Sequence, residues 1–508
     1  MASGMPANRH RSSIDSPTSP YSPSGLSSIG SNSQLVLLPD TEDGDSYDEF
    51  DSDDEADDDN ELGSRLESRN LSIPPLAPSV VFLYLLSPYL RLGAINIPDG
   101  DTPLKYGLAS LVIATVLSAF CRHIWFLLGR YLRKSTTEDI LVHTFARGRG
   151  RGRKHVFARR TITAVIALFR ILMAAMYLRD SVGCVLPLVP ETLPFRSHLS
   201  TSALLGFLVL VFSLAKSLAA KPTICLAGLS VASFLAWVIT VSHAYATNGL
   251  QPSPSWLQRG VLWNEISSII FACTTALTVP LSASLTGGTM VPPAAKKQRA
   301  RSFQLLSTSS TALAALLMLP LVIFAASPRT PETSETAPDA LISLSRAATL
   351  LLSVPSIILS IPSLPFPRGI YRNTPINPSK LLIIFAVVAL SLVPPPIAGI
   401  LNDAMLFLAV SGTFMLPALA HITIHYFRRP LSIVVPQGPS SVPSTPRTAH
   451  AQLSPPPSPD PLLQRKERLL QRSRLGKRLL WDIGIWIILI PICGCALVWA
   501  GGRLALQW

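Results

Sequence analysis

A chain of 508 residues with 48% hydrophobic and only 14% charged side chains lies well under the roughly 25% charge of ordinary soluble domains, which excludes a string of water-soluble units. Its apolar residues fall in blocks of about 20, the length that crosses a hydrocarbon core of roughly 30 Å. The formal charge of +13 is uneven, with 15 acidic and two basic side chains in residues 1–61; the basic remainder suits cytoplasmic loops of a membrane protein better than nucleic-acid binding.

Residues 1–70 open with Ser16-Pro17, Ser19-Pro20 and Ser22-Pro23 and then run through Asp51-Ser52-Asp53-Asp54-Glu55. Low hydrophobicity and like-charge repulsion leave too little apolar surface to offset the entropy of ordering, so a disordered acidic cytoplasmic tail is expected. No apolar stretch opens the chain, and no cleavable signal peptide is expected. Eleven apolar segments follow, at 75–97, 106–128, 161–179, 199–216, 222–244, 262–285, 304–326, 340–365, 381–399, 403–427 and 479–503. They are numbered here as spans one to eleven. Spans one and eight carry internal prolines, which membrane helices tolerate where neighbours satisfy the freed backbone groups. Span eight reads either as one helix or as a broken one.

Loop charge tests the count. With the tail in the cytoplasm, the cytoplasmic loops carry 29 Lys and Arg and the opposite loops six, the asymmetry expected of positive loops inside. The C-terminus then lies outside or in a lumen. The loop containing Arg147, Arg149, Arg151 and Arg153, separated by glycines, reads as attraction to anionic lipid. Residues 428–478 form a Pro/Ser-rich, then basic, cytoplasmic linker ahead of a last helix within 479–508. Residues 71–427 make a ten-helix core.

No catalytic constellation, metal cluster or cofactor motif is present. His421 and His425 stand at i and i+4, a spacing compatible with metal, but the other histidines are scattered and the pair reads as interfacial packing. Cys121, Cys184, Cys225, Cys273, Cys493 and Cys495 imply no disulfide framework; the Cys493-x-Cys495 spacing has no partner pair. An enzyme is therefore not expected. Ionisable groups within the bilayer are costly and face a cavity or a partner. Arg122 and His123 in span two, Arg170 in span three, Glu265 in span six and Arg346 in span eight qualify. Arg122 is free to snorkel to the cytoplasmic face. Arg170 reads as a counter-ion for a substrate carboxylate or as the partner of an acid such as Glu265. Secondary transporters bind solute between discontinuous helices at equivalent positions of two repeats. Ten spans taken as five plus five make spans one and six the counterparts. Pro88, Gly93 and Pro98 weaken a continuous helix in span one, while Thr274, Thr275 and Thr278 offer hydroxyls in span six.

Several short motifs add a family resemblance. Phe271-Ala272-Cys273 followed by Leu277-Thr278-Val279-Pro280, then the basic Lys296-Lys297-Gln298-Arg299 and Ser302, resembles the sixth-to-seventh-span region of the amino acid/auxin permease superfamily. That superfamily includes vacuolar and system A/N-type amino acid transporters. Arg346, Ser360-Ile361-Pro362 and Phe366-Pro367-Arg368 are similar to its eighth span. Leu92-Gly93-Ala94-Ile95-Asn96-Ile97-Pro98 resembles its first, and Ser135-Thr136-Thr137-Glu138-Asp139 follows span two in like fashion. The resemblance implies an all-α integral membrane fold of about eleven transmembrane helices, a five-plus-five inverted repeat plus one C-terminal helix. It implies secondary active transport of amino acids or similar small solutes, coupled to a proton or sodium gradient, in a vacuolar or other endomembrane. A non-transporting nutrient sensor or scaffold on the same fold is the alternative. The implied partners are a small-molecule substrate, a coupling cation and the bilayer, with no nucleic acid. Substrate backbone contacts fall on Gly93, Ala94 and Asn96, with Thr274 and Thr275 opposite, and a cation position falls on Ser356 and Ser360.

Overall fold

The computed structural model describes residues 74–100, 102–146, 152–190, 197–215, 217–248, 259–275, 277–286, 293–326, 337–362, 378–427 and 483–505. The expected acidic tail at 1–70, the linker at 428–478 and the glycine-spaced Arg147, Arg149 and Arg151 lie outside these residues. No strand occurs among those described.

Each of the eleven apolar segments carries helix. Span one is α1 (Pro78–Leu86), a 3₁₀ turn (Ser87–Leu90), α2 (Leu92–Ile95) and a second 3₁₀ turn (Ile97–Asp99). Span two is α3 (Leu104–Leu132), and α4 (Thr137–Phe145) lies in the loop beyond it. Spans three to five are α5 (Gly152–Val185), α6 (His198–Ser213) and α7 (Lys221–Asn248). Span six is split into α8 (Arg259–Ala272) and α9 (Thr278–Thr286). Then come α10 (Pro293–Ala325), α11 (Ala337–Ser360), α12 (Pro378–Ser391), α13 (Pro395–Val410) and α14 (Leu416–Ile422), and last α15 (Ile490–Leu504). Among the described residues 7 helices are long and apolar enough to cross a membrane, and span one is a bent pair with a 43° turn. The shorter α6 and α12, of 16 and 14 residues, are about 24 and 21 Å long at 1.5 Å per residue.

Two features differ from the sequence reading, and a third, left open between two readings, is decided. Span nine was expected to run to residue 399, but α12 ends at Ser391 and a new helix starts at Pro395. The triple Pro394-Pro395-Pro396 cannot donate to a preceding turn, yet suits the first turn of a new helix. Helix α4 sits where only a loop was expected. Thr136 caps it, accepting from the Asp139 amide at 3.2 Å, and Glu138 and Asp139 lie in its first turn, the acidic start a helix dipole favours. Span eight is one helix, with Pro355 inside it.

Packing sorts the helices into two groups. The helices of spans one, two, six and seven lie against one another: α10 on α3 and α1, α8 on α3 and α2, α9 on α3. Those of spans three, four, eight and nine do likewise: α11 on α5 and α6, α12 on α5 and α6. Each group joins a span to the one five places later, and α11 of the second group packs most extensively along α7 of span five. Val112, Val116, Phe207, Ile239, Phe385 and Ile487 point outward and are exposed, where hydrocarbon rather than water would meet them. Tyr89, Ile95, Phe234 and Phe414 fill the interior.

Candidate functional site

The first break begins at Pro88, which has no N–H to continue α1. Arg91 leaves helical geometry (φ −121°, ψ −152°) before α2 resumes at Leu92. Freed carbonyls in such a place need donors. Arg122 supplies one. Its Nη2 donates to the Leu85 carbonyl at 2.5 Å and its Nη1 to Ser310 Oγ at 2.9 Å, and the guanidinium lies 4.4 Å from the Tyr89 ring centre. It does not snorkel; it is 1% exposed. The Tyr89 hydroxyl in turn lies 2.8 Å from Ser118 Oγ, which donates to the Cys273 carbonyl at 2.7 Å. The two breaks thus share one hydrogen-bonded chain.

The second break follows Ala272. Pro280 has no N–H for the carbonyl four residues back, so α9 starts at Thr278 and carries its proline in the first turn, where the missing donor costs nothing. Thr274 folds back, its Oγ1 donating to the Phe271 carbonyl at 2.8 Å. Span ten clamps the gap. A π-turn at Ser411–Met415 brings Thr413 to Thr275, whose amide donates to Thr413 Oγ1 at 3.1 Å while that hydroxyl donates to the Thr275 carbonyl at 3.3 Å. Such π-turns recur at functional sites. Thr413→Val removes both bonds and is expected to cost about 0.5–1.5 kcal/mol apiece. The check is thermal unfolding in detergent, and a melting temperature identical to wild type would deny the clamp.

The breaks meet at Gly93. A Cβ added there would fall 2.5 Å from both Cα and N of Ala272, so only glycine lets the two backbones approach this closely. Beside the contact lies a small cleft. Span one contributes Pro88, Arg91 and Gly93; span six contributes Phe271, Thr274, Thr275 and Leu277. From the other group come Phe169, Arg170, Met173 and Tyr177 of span three and Ser356, Ile357 and Ser360 of span eight, with Thr413 from span ten. The cleft therefore sits between the two helix groups. A second cleft shares Phe169, Arg170, Thr275 and Thr413 and reaches Trp125, Thr137 and Leu141, toward the loop that carries α4.

Among the described residues no carboxylate lines either cleft, and the first holds two arginines. Arg91 Nη2 donates to Ser87 Oγ and Ser356 Oγ, both at 3.0 Å, and Tyr177 also bonds this guanidinium. Arg170 Nη1 donates to the Ser360 carbonyl. The Nε of each has no hydrogen-bond partner.

Of the residues expected to touch substrate, Gly93, Thr274 and Thr275 line the cleft. Ala94 is buried in the core beside it. Asn96 turns outward to Arg346, accepting from Nη2 at 2.9 Å, while Asp99 accepts from Nη1 at 2.8 Å. Ser356 and Ser360 line the cleft, where one hydroxyl and one carbonyl serve guanidinium groups. Arg170 and Glu265 do not pair: Arg170 bonds Ser360, and Glu265 packs its carboxylate against Gly100 in the space a Cβ there would fill. The His421 and His425 rings lie tilted against each other, their centres 4.3 Å apart, and no group of three His, Cys, Asp or Glu among the described residues could hold a metal. Sequence reading passed over Arg91, Tyr177 and Thr413. For Arg91 the signal was there, a guanidinium between Leu90 and Leu92 in an apolar span, the same criterion that singled out Arg170.

No family model matches the chain, and no curated protein matches it. A solved structure described as the substrate-bound outward-open state of a Na+-coupled sialic acid symporter aligns at 13% identity with a TM-score of 0.39. The alignment covers 72% of this chain and 84% of that one. A likeness of this size bears on neither substrate nor mechanism, and the resemblance to amino acid/auxin permeases rests on its short motifs alone.

Proposed function

We propose that the chain is a secondary active transporter of amino acids or similar small solutes, with its substrate site at the junction of the broken spans one and six. The observation that carries this reading is the facing pair of interruptions, held in contact at Gly93 and Ala272 and set between two groups of helices. Breaks at equivalent places in two repeats put backbone polar groups, freed from helical bonding, beside a cavity at mid-depth, and rocking of one group against the other then alternates access. Arg346 joins span eight to Asn96 and Asp99 at the end of span one, and so links the groups on the side that loop charge places away from the cytoplasm. The second cleft, toward α4, supplies the path to the other side.

Among the two gradients, protons suit the site better than sodium. The side chain and backbone at Ser356 and Ser360 already receive guanidinium N–H groups. A metal cation within about 4 Å of a guanidinium would be repelled by about 4 kcal/mol at an effective dielectric of 20. Purified protein in vesicles, given radiolabelled amino acids under an imposed pH gradient with sodium replaced by choline, should accumulate label. Binding without flux would overturn transport and make the chain a sensor on a membrane scaffold.

A further inference from the structure

Three arginines lie inside this membrane protein with no salt bridge to an acid among the described residues. Arg122 is used up in holding the first break. Arg91 and Arg170 line the cleft, 7% and 5% exposed, and donate only to neutral groups: Ser87, Ser356 and Tyr177 for the first, the Ser360 carbonyl for the second. Each keeps an Nε with no hydrogen-bond partner. Among the described residues Glu138 is the only acid that acts on Arg170; it belongs to α4, which borders the second cleft without Glu138 lining it. A buried guanidinium with no carboxylate in hydrogen-bonding contact is expensive. Two of them line one cleft, Arg91 with no acid acting on it among the described residues and Arg170 with only Glu138 at a distance, and they define a place for negative charge.

We propose that the cleft selects solutes of net negative charge, a dicarboxylate or an acidic amino acid, over neutral zwitterions, a reading that rests on this being the substrate site. The planar guanidinium fork matches a carboxylate with two parallel N–H bonds. The ammonium of a neutral zwitterion would meet hydroxyls and carbonyls here but no carboxylate, and would add a third positive charge to the two already present. The position of the arginines adds a consequence for motion. Arg91 belongs to the group of spans one, two, six and seven, whereas Arg170 belongs to the group of spans three, four, eight and nine. A solute with two carboxylates can neutralise one arginine on each group, so its binding favours the arrangement in which the groups are drawn together.

Glutamate and glutamine differ in one charge at nearly equal size, and make the sharpest probes. With the full chain in lipid nanodiscs, calorimetry should find glutamate and succinate bound at least roughly tenfold more tightly than glutamine, the least that a charge-assisted hydrogen bond supplies. Arg170→Gln should erase that preference, and Arg170→Lys should keep part of it, since the charge remains while the fork is lost. The wild-type comparison stands even where a variant fails to fold: glutamine bound as tightly as glutamate, or no binding of either anion, overturns the proposal. Vesicle uptake separates this from the transport reading. Anion preference in binding with no uptake leaves the anion site and removes transport; uptake of glutamine but not glutamate leaves transport and removes the charge assignment.

Discussion

Gly93→Val is expected to abolish uptake and to lower the melting temperature of the detergent-extracted protein together. The branched Cβ would be built 2.5 Å from backbone atoms of Ala272, and a backbone cannot turn aside as a side chain can. One of the two breaks must move. Overpacking of this kind costs about 1–3 kcal/mol where side chains can adjust, and more here, out of a total stability of roughly 5–15 kcal/mol. Gly93→Ala should do the same to a smaller extent, since the offending atom is the Cβ itself. Ala272→Gly should fail to rescue either variant: it removes the side-chain contact at 2.9 Å but leaves Cα and N in place. Uptake and melting temperature measured on the same preparations decide the matter. Normal uptake by Gly93→Val at normal stability would sink the proposed site, because it would mean that the two breaks need not touch.

Arg346→Asp is expected to unlatch the far side of the cleft. The wild-type guanidinium bonds Asp99 Oδ2 and Asn96 Oδ1 at 2.8 and 2.9 Å, and Asp180 is close enough to attract it. Reversing the charge places three carboxylates together where one cation had held two, and the like charges repel, a repulsion screened by solvent at the exposed Asp99 and larger toward Asp180. Because Asn96 and Asp99 end span one while Asp180 and Arg346 belong to the helices of spans three and eight, this repulsion acts between the two helix groups. The variant should remain folded, since the Asp99 side chain is 60% exposed, yet transport should fall roughly tenfold or more, the ratio that 1.4 kcal/mol represents. A cysteine introduced at Thr274 should label faster from the far side than in the otherwise wild-type chain. Adding Asp99→Arg to Arg346→Asp should restore part of the transport, and equal labelling rates in all three proteins would deny that the pair closes anything.

Composition and pattern by themselves determined the class of this protein and the site of its first interruption. Blocks of about 20 apolar residues have one stable form in lipid, the helix, because every backbone group must be satisfied within the segment. Proline supplies the exceptions without help from distant residues, which is why Pro88 and Pro98 forecast the break in span one, and why Pro394 to Pro396 set the start of α13 even though the span was first read as running through them. The capped start of α4 was equally local, in Thr136 and Asp139, and was missed only because the segment is too short to cross a membrane. What the arginines do was decided by tertiary structure alone. Arg122 could have reached the cytoplasmic surface and Arg170 could have sought Glu265; a long side chain has many rotamers, and the choice among them depends on acceptors far away in the chain. Those acceptors proved to be Leu85 and Ser310 for Arg122, Ser360 for Arg170 and Ser356 for Arg91. Only the folded chain shows that, among the described residues, none of the three forms a salt bridge with a carboxylate, and that two of them face the cleft between the helix groups.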